Sequence, residues 1–236
     1  MGLNAYTHDY YPLNTTKFKS KPIYRVQAGL NFSNVFERDD EEIYVENQTN
    51  TGFHLGITAE FPTSQKASFE TGLILSTKGF KYKFQNYYGD TRDLELFEIS
   101  GKENLIYLDI PLTAKFHFSQ MDNSKFFGVF GSYVSIGIGG KEKSTITNLD
   151  TEEIEKDTDS ITFGYSDQSW YNLFDFGMIA GVGIDMDTFQ ISLRYNFGLA
   201  NISPDTEDGY KIKNRVMQIS VAYKFDMAKI LKSVTQ

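Results

Sequence analysis

Acid–base or nucleophilic chemistry in this chain has few side chains to draw on. There is no cysteine, and the only histidines are His8, His54 and His117. Hydrolysis of a lipid ester would need a serine, one of these histidines and an orienting acid within hydrogen-bond reach. His8 lies in a stretch without periodicity, His117 falls near the end of an alternating segment, and His54 sits on the polar parity of another. No spacing brings a serine and a carboxylate to any of them, so His54 is expected to be an ordinary interior hydrogen-bonding group and the chain a non-enzyme. No cofactor and no metal is expected either. Thiolate sites are impossible without cysteine. The acidic stretch from Glu37 to Asn50, ERDDEEIYVENQTN, lacks the spaced Asp/Asn and Gly of a calcium loop, and Gly137, Gly139, Gly140 and Lys141 lack the spacing of a phosphate loop.

The remaining charged residues are organised differently. Arg25, Glu60, Glu70, Asp109, Lys115, Asp175, Arg194 and Lys224 each fall on the polar parity of a segment that alternates apolar and polar residues, which places them together on one face of a sheet. The clearest such segments lie in the last third. Phe174, Phe176, Met178, Ala180, Val182, Ile184 and Met186 alternate with Asp175, Gly177, Gly181, Gly183 and Asp185. After an Asp187-Thr188 corner, Phe189, Ile191, Leu193, Tyr195, Phe197 and Leu199 alternate with Gln190, Ser192, Arg194, Asn196 and Gly198. A hairpin this long spans roughly 30 Å, beyond the usual soluble strand and enough to cross a bilayer on both legs.

The same period recurs along the chain. It runs over Ile23–Ser33, Phe53–Phe61 (ended by Pro62) and Phe69–Ser76. It continues over Ile106–Phe118, interrupted by Pro111 where a bulge or gap in the ladder is expected, and closes with Met217–Phe225. Beyond Gly79 the apolar parity shifts to Phe80, Tyr82 and Phe84, so the third strand is expected to bulge or leave the bilayer near Lys78-Gly79. The segment from Phe126 to about Gly139 carries apolar residues on both parities, and its faces stay unassigned. The count is eight strands. Connections alternate long and short: 37–50, about 85–103, about 140–171 and 203–213 are long and polar, and the rest are tight. Tyr24, Phe61, Phe69, Phe116, Phe118, Phe127, Phe189, Tyr223 and Phe225 cluster at the short-turn end. Phe32, Phe53, Phe174, Tyr195 and Phe197 cluster at the other. Two aromatic belts around an aliphatic band suit the two headgroup levels of a membrane.

Composition agrees. Aromatics make up 15% of the chain and Pro only five residues, which favours β structure. A negative mean hydropathy and the lack of any run of 18 apolar residues exclude a helical span but not a barrel, whose strands dilute their apolar face twofold. A net charge of −8 offers no basic stripe to a nucleic acid. The expected fold is all-β: an eight-stranded antiparallel up-and-down transmembrane barrel with a polar, charge-paired, filled interior and no pore. An open edge in hydrocarbon would strand unpaired backbone groups, so the first strand should pair with the last. A soluble lipocalin-like barrel is the rival, and it would place the apolar rows inside.

The segments YRVQAGLNFSNVF, ENLIYLDIPLTAKFHF, FDFGMIAGVGIDM, FQISLRYNFGLANI and KNRVMQISVAYKF together resemble the PorT-like outer-membrane β-barrel family of Bacteroidetes. Tyr107-Leu108-Asp109-Ile110-Pro111-Leu112 matches its tyrosine-to-proline strand motif, and Arg194-Tyr195-Asn196 with Gly198-Leu199 its penultimate strand. The resemblance covers about Ile23 to Phe225. It implies a bacterial outer-membrane location and, for its best-known members, an accessory role in type IX protein secretion; the even strand count puts both termini on the same side, at the short-turn, periplasmic end. Three regions are expected: an N-terminal periplasmic tail (1–21), the barrel (22–225) and a C-terminal extension (226–236). In the last, Met227, Ile230, Leu231 and Val234 would share one face of a short helix against the membrane or a partner. Expected partners are the lipid bilayer, lipopolysaccharide and proteins of the outer membrane or periplasm, with no nucleic acid. The functional expectation is a non-enzymatic component of an outer-membrane machine, for secretion or envelope assembly. The alternatives are a surface adhesin or envelope-stabilising barrel acting through its acidic loops, and a lipid-modifying enzyme.

Overall fold

The computed structural model describes residues 21–38, 47–88, 95–121, 124–166, 168–206 and 209–226. The expected tail (1–21), apart from Lys21, and the expected helix bearing Met227, Ile230, Leu231 and Val234 lie outside them. Ten strands follow in order: β1 (Ile23–Arg38), β2 (Gln48–Pro62), β3 (Ala67–Lys78), β4 (Phe80–Tyr88), β5 (Glu95–Met121), β6 (Ser124–Asn148), β7 (Ile154–Ile161), β8 (Phe174–Met186), β9 (Phe189–Gly198) and β10 (Lys211–Phe225). Eight of them, β1, β2, β3, β5, β6, β8, β9 and β10, pair antiparallel into a closed ring. The closing ladder runs from Tyr24↔Phe225 to Arg38↔Lys211, so no edge is left where hydrocarbon could not satisfy it.

The direction of the apolar rows separates a membrane barrel from a lipocalin-like one. Leu193 and Ile219 are each 45% exposed and Leu112 41%, while Arg25 and Arg194 are 2% and 3% exposed. Grease faces out and charge faces in, as a barrel dissolved in lipid requires.

β4 and β7 are additional to the ring. They pair with the N-terminal part of β5 and the C-terminal part of β6, so β4, β5, β6 and β7 rise as a sheet from the end of the barrel remote from the termini. Most of this sheet occupies 85–103 and 140–171, which sequence reasoning treats as loops. Its alternation is inverted. Phe80 and Tyr82 turn inward and Lys81 and Lys83 outward, because here the outside is water or headgroup and the inside must supply the apolar core. The parity break at Gly79 marks this change of solvent. The even residues of β3 and β4 face inward on both sides of it, from Glu70 and Ser76 to Phe80. Gly79 itself has φ +132°, and a Cβ there would lie 2.1 Å from the Glu103 carbonyl oxygen, so only glycine fits.

β5 carries three irregularities, one of them a register shift against β6 between His117 and Ser119, next to the turn. Its ladder to β3 lapses opposite Ile110 and Pro111, where proline cannot donate, while pairing to β6 continues through Pro111↔Tyr133. A register shift on the β6 side falls between Ile106 and Tyr107, beside Gly139 with φ +153°. The faces of β6 are also settled. Phe127, Val129 and Tyr133 are buried inside, and Phe130, Val134 and Ile138 point to lipid.

Candidate functional site

Among the described residues, buried functional groups converge in the charged interior, which is layered. At the end carrying the termini, Arg25 bonds Glu60 at 2.6 Å and Asp185 at 2.8 Å. Lys115 bonds the same two carboxylates at 2.9 and 3.0 Å and the Gln190 amide oxygen at 2.7 Å. Ser68 donates to Glu60 at 2.7 Å, and the Phe127 ring lies 4.1 Å from the Lys115 ammonium. Two cations face two carboxylates, so the layer compensates itself. Mid-barrel, Arg194 bonds Glu70 at 2.7 Å. Farther from the termini, the Lys78 ammonium lies 3.0 Å from Asp109 and 3.3 Å from Asp175. The rings of Tyr107 and Tyr133 close over it at 4.5 and 4.8 Å. Ser135 and Asn214 donate to Asp109 and Asp175, offsetting the surplus negative charge there.

Glycines make room for the large groups. A Cβ at Gly177 would come within 2.8 Å of the Tyr133 ring, one at Gly181 within 2.9 Å of Arg194 Cγ, and one at Gly183 within 2.4 Å of the Phe127 ring. Narrow walls opposite bulky residues are how an eight-stranded barrel fills its own interior.

Of the residues named from sequence, Arg25, Glu60, Glu70, Asp109, Lys115, Asp175 and Arg194 lie in these layers. Lys224 does not. It is exposed at the rim, beyond the last interior residue of β10, Ala222, where water solvates it more cheaply than a carboxylate would. Lys78 is a central member that sequence reasoning passes over. It continues the inward row of Glu70 and Ser76, a signal hidden by taking Lys78-Gly79 as the strand's exit. Phe127, grouped from sequence with the short-turn belt, turns inward instead to cover Lys115. Phe53, Phe61, Phe118, Phe174, Phe189, Phe197 and Tyr223 are exposed on the outer wall, and Tyr24, Phe32 and Phe225 partly so. Tyr24 meets Phe225 with ring centroids 6.1 Å apart and Phe189 meets Tyr223 at 5.3 Å.

Among the described residues His54 makes one arrangement that looks catalytic. Its Nε2 lies 2.8 Å from Ser220 Oγ and its Nδ1 2.7 Å from Asn31 Oδ1, the order of a serine hydrolase relay. All three are buried, and the Asn31 amide also donates to Ser76 Oγ at 2.9 Å and the Thr77 carbonyl at 2.8 Å. A substrate could not reach Ser220 without dismantling the wall, so the chain of bonds is packing. Among the described residues no group of three or more His, Asp or Glu side chains is arranged to hold a metal ion.

Beyond Lys78 the interior becomes apolar. Phe80, Leu105, Ile161, Tyr171, Ile202 and Ile212 form a buried cluster, and Phe163, from the segment joining β7 to β8, stacks edge-on to Tyr107. Three tyrosines each cap a carboxylate around it: Tyr82 donates to Glu142, Tyr171 to Glu103 and Tyr210 to Glu37. Burial, with Glu142 and Glu37 nearby, raises the Glu103 carboxyl to about 7 despite the bond from Tyr171. The cluster caps the barrel.

A closed ring with lipid outside and paired charge inside is an integral β-barrel of the bacterial outer membrane. The chain belongs to the outer membrane protein beta-barrel domain family, whose family model matches residues 19–203. No curated protein sequence matches it. Among solved structures, Ail, the attachment invasion locus protein of Yersinia pestis, is 13% identical, with 87% of this chain and 100% of that one covered at a TM-score of 0.35. Neisserial surface protein A is also 13% identical, covering 86% and 97% at 0.34. OprG of Pseudomonas aeruginosa is 11% identical, covering 86% and 95% at 0.35.

Proposed function

We propose that this protein is a non-enzymatic structural or accessory component of an outer-membrane assembly, working through its surfaces and not through its interior. One observation carries the reading: the lumen is filled from ion-pair layer to apolar cap, which leaves the outer wall and the two ends as the working surfaces. The reading includes an orientation, supported by the alternation of short and long connections. Short connections and termini face the periplasm, and the β4–β7 sheet stands outside the cell, surrounded by lipopolysaccharide. The PorT-like strand motifs, Tyr107 to Leu112 and Arg194 to Leu199, support a place beside a protein-secretion or envelope-assembly machine. The test is a chromosomal deletion complemented by two versions of the protein, one intact and one lacking 227–236. Secretion and envelope integrity should fail in the deletion and return with the intact copy. Normal secretion and a normal envelope in the deletion strain would overturn the role.

A further inference from the structure

Above the lipid-facing band, three lysines stand in one row across three strands. Lys81 on β4 is directly opposite Lys102 on β5, and Lys102 is directly opposite Lys143 on β6. Lys141, two residues before Lys143 on the same face, is opposite Asn104. Directly opposed residues in an antiparallel pair hold their Cβ atoms about 5 Å apart, and like charges so placed repel. No ion pair among the described residues offsets this along the row. Lys83 bonds Glu98 at 2.8 Å, but Lys81, Lys102, Lys141 and Lys143 have no ion-pair partner among the described residues. The carboxylates on the neighbouring rung, Glu103 and Glu142, point the other way, into the cap, where Tyr171 and Tyr82 hold them.

The row faces outward at a definite height. On β5 the same face carries Ile106 and Leu108 below Lys102. Four residues separate Ile106 from Lys102, about 13 Å along the strand and roughly 10 Å along the membrane normal for a strand tilted by about 40°. The headgroup layer begins at the edge of the hydrocarbon and is about 5 to 8 Å thick, within reach of lysine side chains extending from that row. A repulsive row of cations within side-chain reach of the headgroup layer, with Glu103 and Glu142 turned away from it, is complementary to anions arriving from the side.

We propose that Lys81, Lys102 and Lys143, with Lys141, form a binding site for the phosphate monoesters of an outer-leaflet glycolipid. The proposal rests on the orientation given above, with the β4–β7 sheet outside the cell. The bound phosphates cancel the repulsion along the row and tie the sheet to the lipid beside it. The site lies on the outer wall and is independent of the interior charge layers.

The test uses the full chain folded into phosphatidylcholine vesicles, with and without bisphosphorylated lipid A, its thermal midpoint followed by the gel mobility of unboiled samples. The parent midpoint should rise with lipid A, and the rise should shrink at high salt. The variant Lys81→Gln/Lys102→Gln/Lys143→Gln should equal or exceed the parent in pure phosphatidylcholine, since a repulsion is removed, yet gain nothing from lipid A. Lys125→Gln, at the opposite end of the barrel, should behave as the parent does. Dephosphorylated lipid A should raise neither. Equal rises in parent and triple variant would overturn the site, as would a full rise with dephosphorylated lipid A or with inorganic phosphate over pure phosphatidylcholine. If the triple variant does not fold, Lys102→Gln alone, the middle of the row, must lose part of the rise. The readout is lipid binding in a defined bilayer, so a normal secretion phenotype would overturn the proposed role and leave this site standing.

Discussion

Lys78 shows what a single side chain does in this interior. Its ammonium is shared by Asp109 and Asp175 and roofed by two tyrosine rings, so removing it strands two carboxylates in a buried place. Breaking a buried pair typically costs about 3 to 5 kcal/mol, whereas replacing the whole set by neutral groups can be close to neutral. Lys78→Ala should therefore destabilise the barrel by roughly that amount in urea unfolding from detergent micelles. Lys78→Met combined with Asp109→Asn and Asp175→Asn should recover most of the loss. A Lys78→Ala variant as stable as the parent would show that the layer is hydrated and already compensated. The rings matter at the same scale. Phe127, grouped with the short-turn belt in a one-dimensional reading, and Tyr133, whose face that reading leaves open, each face a cation inside, where the π face is an energetic asset.

At the scale of elements, the junction of β3 and β4 divides two solvents. Gly79 has a left-handed φ and no space for a Cβ. Gly79→Ala should cost at least about 1 to 2 kcal/mol in backbone conformation alone, felt mainly by the sheet above the ring. Trypsin should then cut at Lys81 or Lys83 while the ring keeps its heat-resistant gel mobility. Loss of the whole barrel instead would mean that sheet and ring unfold as one unit. The cap has a pH dependence whose sign follows from Glu103. Its carboxyl sits at about 7 when folded against an ordinary 4.5, so the folded state binds the extra proton between those values. Stability is then greatest below about pH 4.5 and falls as pH rises towards 7, by an amount on the order of 2 to 3 kcal/mol for the cap. Protease protection of the sheet, followed from pH 4.5 to 7.5, should weaken across that window in the parent and stay flat in Glu103→Gln.

For the whole molecule, closure is the property that counts. The ring has no edge, the lumen is layered with ion-paired charge, and the cap seals the end remote from the termini. Planar bilayers containing the protein should show no stepwise conductance. Opening the cap with Phe163→Ala and Tyr171→Ala should change nothing, because the layers around Lys78, Arg194 and Lys115 still fill the bore. Discrete conductance in the double variant would mean that those layers part in the membrane and that the interior is a route. The outer wall is then the surface on which the molecule meets everything else: aliphatic in the middle, aromatic towards both ends, and cationic where the β4–β6 sheet emerges.

Period-two alternation told most of this story in one dimension. An apolar row cannot be satisfied by water along strands this long, and the polar row opposite it must then face an interior, so the eight strands of the ring and the inward set from Arg25 to Arg194 were legible, while the two further strands were not. Parity is a local signal, however, and it says nothing about which solvent a face meets. The sheet formed by β4 and β7 with the ends of β5 and β6 escaped because its polar face is the outer one, and its charge made it resemble a loop. The seats of Lys78, Phe127 and Lys224 escaped because each depends on how far along its strand the wall ceases to be lined by lipid. The opposed lysines of β4, β5 and β6 escaped because register brings together residues far apart in the chain. Closing the sheet set that height and that register, since only then does each residue acquire a neighbour across the ladder and a depth in the membrane.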